Sequence, residues 1–319
     1  MASDISKIPN SQSVVVLGGA GFLGSHLVEK LIEAQFDSIT VVDNLSEALY
    51  ENNQRKAWLK SLPRSETLNL METDFDSDVV FEVCRKSDIV INLAAIAGLR
   101  KSWEIPTEIF NTNFLGFHRL VNHLEASNNP PYLIHASTSS VYGKFAVGNE
   151  NLTRNPVSPY GASKLAAELR LESLNSDSRL SWTILRLFSL YGPRQRSDMA
   201  YHRAIVAATT GGEFVVFGDG SQQRTNTFVT DAADAIFKAL TLKPHRQIIN
   251  VADNQLVSLN EALLIIESLT DKSIKRTYRD PFPGDQSVTQ GVNKLAKQIL
   301  NWEPSTPLEM GLQMQIDSL

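Results

Sequence analysis

Residues 13–24 read SVVVLGGAGFLG, a short apolar run that breaks into glycines and resumes as FLGSHLVEKLIEA (22–34) with apolar residues at helical spacing. In Gly18-x-x-Gly21-x-x-Gly24 the first glycine permits a tight turn between strand and helix. The second lets the backbone approach a pyrophosphate, and the third brings helix and strand close together. Any strand-to-helix turn can use glycine, so the triplet takes its meaning from its surroundings. SITVVD (38–43) is a second buried strand, and it ends in Asp43, 19 residues after Gly24. A carboxylate there accepts from an adenosine ribose and repels the 2′-phosphate of NADP. The stretch therefore predicts a dinucleotide site, with NAD as the cofactor.

Outward from this turn the same alternation continues. Strand-like runs recur at 88–95 (DIVINLAA), 132–137 (YLIHAS) and 182–188 (WTILRLF). Helices are expected over 107–127 and from the Ser-Pro start of SPYGASKLAAELRLE (158–172). Runs of β-branched residues between helices point to a parallel sheet covered on both faces, a doubly wound α/β layout. After residue 188 the loops YGPRQR (191–196), FGDGSQQR (217–224) and DPFPGD (280–285) are rich in Gly, Pro and Arg, and only short helical pieces are expected between them. The expected division is a dinucleotide-binding domain of 12–188 and 225–252, with a smaller, partly interleaved substrate lobe of 189–224 and 253–319.

A chain of 319 residues, 42% hydrophobic and 20% charged, buries a large core like an ordinary soluble protein. Its net charge of −5 speaks against a nucleic-acid surface. Cys84 is the only cysteine, which excludes an internal disulfide and suits a reducing compartment. Neither a signal-peptide pattern nor a run long enough to span a membrane is visible, so residues 1–12 read as a short frayed leader and the protein as cytoplasmic.

Two further stretches carry chemistry. Tyr160-x-x-x-Lys164 places a phenol and an ammonium on one helix face, where the cation favours the phenolate. Alone, that spacing also fits an ordinary surface pair. HASTSSVYG (135–143) puts four hydroxyls, Ser137 to Ser140, at a strand end. A buried hydroxyl without a partner is destabilising by about 1–3 kcal/mol, so the run expects polar company.

The chain resembles the extended short-chain dehydrogenase/reductases, specifically the NAD-dependent nucleotide-sugar epimerases and dehydratases. GGAGFLGSHLVEKL, VVDNLS, INLAAIAG, NTNFLG, STSSVYG, SPYGASK, LFSLYGPRQR, VFGDGSQQR and PGD occur in that family's order. The resemblance implies a Rossmann-type fold, bound NAD, a UDP-sugar substrate and a homodimer. It casts Tyr160 as the acid/base, Lys164 as its partner and holder of the nicotinamide ribose, and Thr138 as the group that bonds the reacting hydroxyl. It further implies cofactor contacts from Gly18, Gly21, Phe22, Leu23, Gly24, Asp43, Asn44, Asp74, Phe75, Ala94, Ala95 and Asn113. Substrate contacts are expected from Thr138, Ser139, Ser140, Ser189, Arg196, Arg224 and Asp285.

Departures from the family pattern narrow the reaction. Dehydratases of this family usually carry Asp-Glu after the catalytic Thr, and uronate decarboxylases Ser-Glu; this chain has Ser139-Ser140. Leu17 stands where Thr is usual, Ser197 where Pro is common, and Thr225-Asn226 where Asp and an aromatic follow the Arg. STSSVYG with YGPRQR most resembles UDP-glucuronate 4-epimerases. Thr138, Ser139 and Ser140, with Arg196 or Arg194, would then grip a sugar carboxylate. The alternatives are a neutral hexose or N-acetylhexosamine substrate, then dehydration or decarboxylation, and last a non-catalytic sugar-binding regulator.

The remaining residues have duller readings. The six histidines show no metal-ligand spacing. His135 reads as a packed core residue, His202 and Arg203 as either pocket lining or helix surface. Met71, Met199, Met310 and Met314 read as core fillers.

Overall fold

The computed structural model describes residues 12–47, 52–63, 65–281 and 286–319. The expected leader, but for Gln12, and Asp285 lie outside the described residues. Fourteen strands occur among the described residues: β1 (Ser13–Leu17), β2 (Ser38–Asp43), β3 (Leu68–Glu72), β4 (Ile89–Asn92), β5 (Tyr132–Thr138), β6 (Ala146–Gly148), β7 (Trp182–Leu187), β8 (Ser189–Tyr191), β9 (Glu213–Phe217), β10 (Gln223–Phe228), β11 (Gln247–Val251), β12 (Leu256–Ser258), β13 (Lys275–Arg279) and β14 (Val288–Gly291).

Seven of them form one parallel sheet in the order β11-β7-β5-β4-β1-β2-β3. The chain winds outward from β1 to β3, returns to β4 on the other side of β1, and winds outward again. That reversal opens a crevice beyond the carboxyl ends of β1 and β4, where ligands of such sheets bind. Period two along β1 divides its side chains between two cores. Val14 and Val16 join one face with helices Phe22–Glu33 and Val229–Leu242. Val15 and Leu17 join the other, with helices Asp78–Lys86, Phe117–Glu125 and Pro159–Glu172.

The second lobe has its own apolar core, built on helices Ala200–Thr210, Leu259–Thr270 and Leu308–Asp317. Its sheet runs β12-β10-β14-β6, with β8 also on β10, while β13 pairs β9. Residues 225–228, as part of β10, thus pair in this smaller sheet. Ala296, Leu300 and Trp302 instead bury themselves in the core of the large lobe.

Two sequence expectations are corrected here. The chain beyond 188 does not hold only short helical pieces: its helices run to 11, 14 and 12 residues. The first two are rich in alanine and the third in Leu and Ile, and each carries a helical apolar face that the conspicuous Gly and Pro loops around them masked. Met310 and Met314 are not core fillers, being 51% and 43% exposed. On helix Leu308–Asp317 the buried side is taken by Leu308, Leu312 and Gln315.

Trp302 is fully buried and its indole N–H donates to the Asp231 carbonyl at 2.9 Å. Trp302→Ala should lower the unfolding free energy in urea by about 3–5 kcal/mol, the range for deleting a buried Trp. A loss below about 1 kcal/mol, the size of a surface substitution, would detach this segment from the large-lobe core.

Candidate active site

The glycine turn between β1 and helix Phe22–Glu33 forms one wall. Gly18 has φ +78°, and a side-chain carbon there would lie 2.7 Å from the Ala94 nitrogen. One at Gly24 would lie 2.3 Å from the Gly18 carbonyl oxygen, so helix and turn approach only because both are glycine. The helix starts at Gly21 without a side-chain cap. A helix start opening on a cleft favours an anion. Asp43, at the end of β2, accepts from the Ala20 and Leu45 backbone N–H groups at 3.1 and 2.9 Å and pairs with Arg55 at 2.9 Å. Burial raises its pKa, against the pull of Arg55 and these N–H donors.

A single cavity of about 540 Å³ runs from this turn into the space between the lobes. Along it lie Gly18, Gly21, Phe22, Leu23, Gly24, Asp43, Asn44, Phe75, Ala94 and Ala95, all expected around a dinucleotide. The donor set fits NAD: a glycine turn and uncapped helix start for the diphosphate, and a buried carboxylate at the far end for the adenosine ribose. The other end is lined by Thr138, Ser139, Ser140, Tyr160, Lys164, Ser189 and Arg196. The structure therefore brings the phenol, the lysine, the hydroxyl run and one arginine to a single wall.

Sequence dictates how. β5 ends at Thr138 and passes into a tight turn, Ser139–Tyr142, in which the Thr138 hydroxyl accepts from the Ser140 N–H at 3.2 Å and donates to the Ser140 hydroxyl at 3.3 Å. Helix Pro159–Glu172 starts with Ser158 as its cap, accepting from the Gly161 N–H at 3.1 Å, and Pro159 in the first turn. This puts Tyr160 at the cavity and Lys164 one turn below. Burial holds the Tyr160 phenol above its ordinary range, while a Thr138 hydrogen bond and the Arg196 charge pull it down. Burial brings Lys164 down to about 7 against the attraction of Glu168.

Ser137 is spent elsewhere. Its hydroxyl donates to Glu168 at 2.5 Å, and Glu168 also accepts from Arg186 Nε at 3.0 Å and Nη2 at 2.7 Å. Arg186 donates in turn to the Tyr142 hydroxyl at 2.9 Å. Both members of the ion pair are buried, so each depends on the other.

Other expected residues fall outside the cavity wall. The Asn113 amide clamps the Ile96 backbone at 2.8 and 3.1 Å and reaches Ser163 at 3.1 Å. Asp74 accepts from the Asn44 amide. Arg224, on β10, donates to the Gln223 carbonyl at 2.8 Å. Arg194 turns away to Glu29 at 2.5 Å, which leaves Arg196, paired with Asp198 at 2.8 Å, as the arginine at this end of the cavity. Arg203 lies over the Phe214 ring, and the His202 N–H donates to Gln195. Sequence reasoning missed Arg55, Met199 as a cavity residue, and Gln286 on the wall. It also missed the contact of His135 with Lys164, a pairing across 29 residues that no local pattern signals.

Residues 14–252 match the model of the NAD dependent epimerase/dehydratase family. The chain belongs to that family. A UDP-glucuronate 4-epimerase of Thermodesulfobacterium geofontis is 33% identical over 311 residues, covering 95% of this chain and 94% of its own. A UDP-N-acetyl-alpha-D-glucosaminuronate decarboxylase of Bacillus cytotoxicus is 31% identical over 95% of this chain and 96% of its own. Among solved structures, the UDP-glucuronic acid 4-epimerase of Bacillus cereus, in complex with UDP-glucuronic acid and NAD, superposes with a TM-score of 0.91 at 28% identity, over 96% of this chain and 98% of that one. This epimerase/dehydratase family member has the Rossmann-type α/β architecture that the glycine turn led us to expect.

Arg186→Met leaves Glu168 buried and without its main donor. The variant should lose about 3–5 kcal/mol of stability in chemical denaturation, as when one partner of a buried ion pair is removed. A change below about 1 kcal/mol, typical of an exposed pair, would show that the pair is not buried in solution.

Proposed function

We propose that this family member is an NAD-dependent UDP-sugar 4-epimerase acting on UDP-glucuronate, working through a transient 4-keto sugar. One observation carries the reading: Thr138, Tyr160 and Lys164 share a cavity with Ser139 and Ser140, and no carboxylate occupies positions 139 and 140. The larger lobe holds the dinucleotide through the turn at Gly18 to Gly24 and through Asp43; the smaller lobe closes over the nucleotide sugar. When bound, NAD supplies a hydride acceptor that takes hydride from sugar carbon 4 and gives it back.

The residues of the chain do the rest. Thr138 bonds the reacting hydroxyl and orients it. Tyr160 as phenolate removes that hydroxyl's proton and later returns it. Lys164 holds the nicotinamide ribose beside the phenol. Ser139, Ser140 and Arg196 grip the sugar carboxylate. A 4-keto uronate is a β-keto acid and loses carbon dioxide when its carboxylate stands perpendicular to the ketone plane, so a pinned carboxylate protects the intermediate. Similarity to a uronate decarboxylase favours that chemistry as the second reading, but this chain lacks the glutamate of such enzymes.

A homodimer in the cytoplasm completes the proposal. Leu115 and Leu169 are exposed on helical segments of the large lobe's flank, where a second copy would cover them. The buried thiol of Cys84 suits a reducing compartment.

The reading is tested by incubating the protein with UDP-glucuronate, UDP-glucose and UDP-N-acetylglucosamine and following products by NMR, with UDP-galacturonate expected from the first. Tyr160→Phe should cut that turnover by about 10²–10⁴-fold, the usual contribution of a general acid/base, with the fold intact. A near-normal rate would mean another group carries the proton. Arg196→Ala should weaken use of the uronate relative to UDP-glucose by roughly 10- to 150-fold, since losing a hydrogen bond to a charged group costs about 1.5–3 kcal/mol. Equal effects on both sugars would remove Arg196 from the carboxylate grip.

A further inference from the structure

His135 lies two residues before Ser137 on β5, fully buried, with its ring stacked on Phe117 at a centroid distance of 4.1 Å. Its Nδ1 is 3.1 Å from the Asn92 amide nitrogen and its Nε2 is 3.2 Å from Lys164 Nζ. A chain of donors fixes the tautomer. The Ala94 N–H donates to Asn92 Oδ1 at 3.2 Å, which turns the amide oxygen to the backbone and the NH₂ toward the ring. Nδ1 therefore accepts, and a neutral imidazole then carries its proton on Nε2. An ammonium has no lone pair to offer that proton, whereas a neutral amine does.

We propose that His135 sets the protonation of Lys164 by donating its Nε2–H to the uncharged amine, and is thereby a positioning residue for the Tyr160–Lys164 pair. The inference rests on the catalytic role given to Lys164 above. The charged and titratable groups around the amine agree with it. On its own helix are Tyr160 and Glu168, and from β5 comes His135. Glu168 favours the ammonium, but its charge is already met by Arg186 of β7 at 2.7 Å and by Arg154 at 3.6 Å. Arg196 acts on Tyr160. Burial works in the same direction as the imidazole donor. Lys164 is then ammonium below neutrality and loses its proton as pH rises through about 7. The alkaline limit of turnover follows that loss.

Two variants reverse the donor by different routes. In Asn92→Asp one carboxylate oxygen keeps the Ala94 N–H and the other accepts from Nδ1–H, so Nε2 becomes an acceptor for the ammonium. His135→Gln can turn its carbonyl to Lys164 directly. The full-length protein, labelled with ¹³C at lysine Cε, is titrated by NMR, with the Lys164 resonance assigned by its loss in Lys164→Arg. The parent should titrate near neutrality, and both variants at least about one pH unit higher, the size of shift a new acceptor or opposite charge produces. The alkaline limb of the turnover profile should move with it. A parent midpoint near the ordinary lysine value of about 10.4 overturns the proposal. So does a midpoint unmoved in both variants, with turnover merely scaled at every pH; His135 is then a packing residue. A shifted midpoint without turnover of any UDP-sugar supports the His135–Lys164 link and refutes the epimerase reading instead.

Discussion

A carboxylate with no access to water must have its charge met by the protein, and Glu168 is in that position. It draws Ser137 from β5 and Arg186 from β7, and through Arg186 it reaches the Tyr142 hydroxyl and the Glu150 carbonyl. Tyr142 passes the chain on to Asn250 of β11 at 2.7 Å. Three neighbouring strands, the turn after β5 and helix Pro159–Glu172 are thereby locked at one height. Removing a member strands a buried polar group, so the arrangement resists sliding. The site stands one helical turn above it: Lys164 is four residues before Glu168, and Tyr160 four before that.

Two clusters meet on this face of the sheet. His135 and Ser137, two apart on β5, share one face of the strand, and Lys164 and Glu168, four apart, share one face of the helix. The contacts pair them as His135 with Lys164 and Ser137 with Glu168. The neighbouring strands complete each cluster, since Asn92 of β4 stands beside His135 and Arg186 of β7 beside Ser137. Phe117 closes the first from the side by stacking on the imidazole. The Glu168 cluster is a matched ion pair; the His135 cluster is tuned by the direction of its hydrogen bonds.

This division explains what could be read in the sequence. The glycine turn, Asp43, the strand-and-helix alternation and Tyr160-x-x-x-Lys164 are local features, each governed by spacing within one segment, and they predicted the fold and the two ends of the cavity; the other wall residues that were expected came with the family resemblance. Asn113, Asp74 and Arg224 are positions whose side chains find partners on nearby chain, and nothing in their own segment says so. Arg55 meets Asp43 across 12 residues and Ser137 meets Glu168 across 31. The small lobe was least legible. Its sheet takes β6, β8, β10, β12 and β14 from scattered parts of the chain, and no periodic pattern announces such pairing.

The hydroxyl run illustrates both limits at once. All four hydroxyl residues border the cavity, but the Ser137 hydroxyl is held by Glu168 while Thr138 bonds within the turn that follows, so a row that looks uniform in sequence is divided between two tasks. Beyond Thr138 the strand gives way to a tight turn, which keeps Ser139 and Ser140 on the cavity wall as well. Had either been Glu, a second carboxylate would face the same cavity as Arg196 and compete with a ligand's carboxylate for it. A hydroxyl has no charge to compete with and can donate as well as accept. Neutral donors beside one guanidinium therefore suit an anionic substrate held still, whereas a carboxylate in that place suits a reaction in which a proton must be moved.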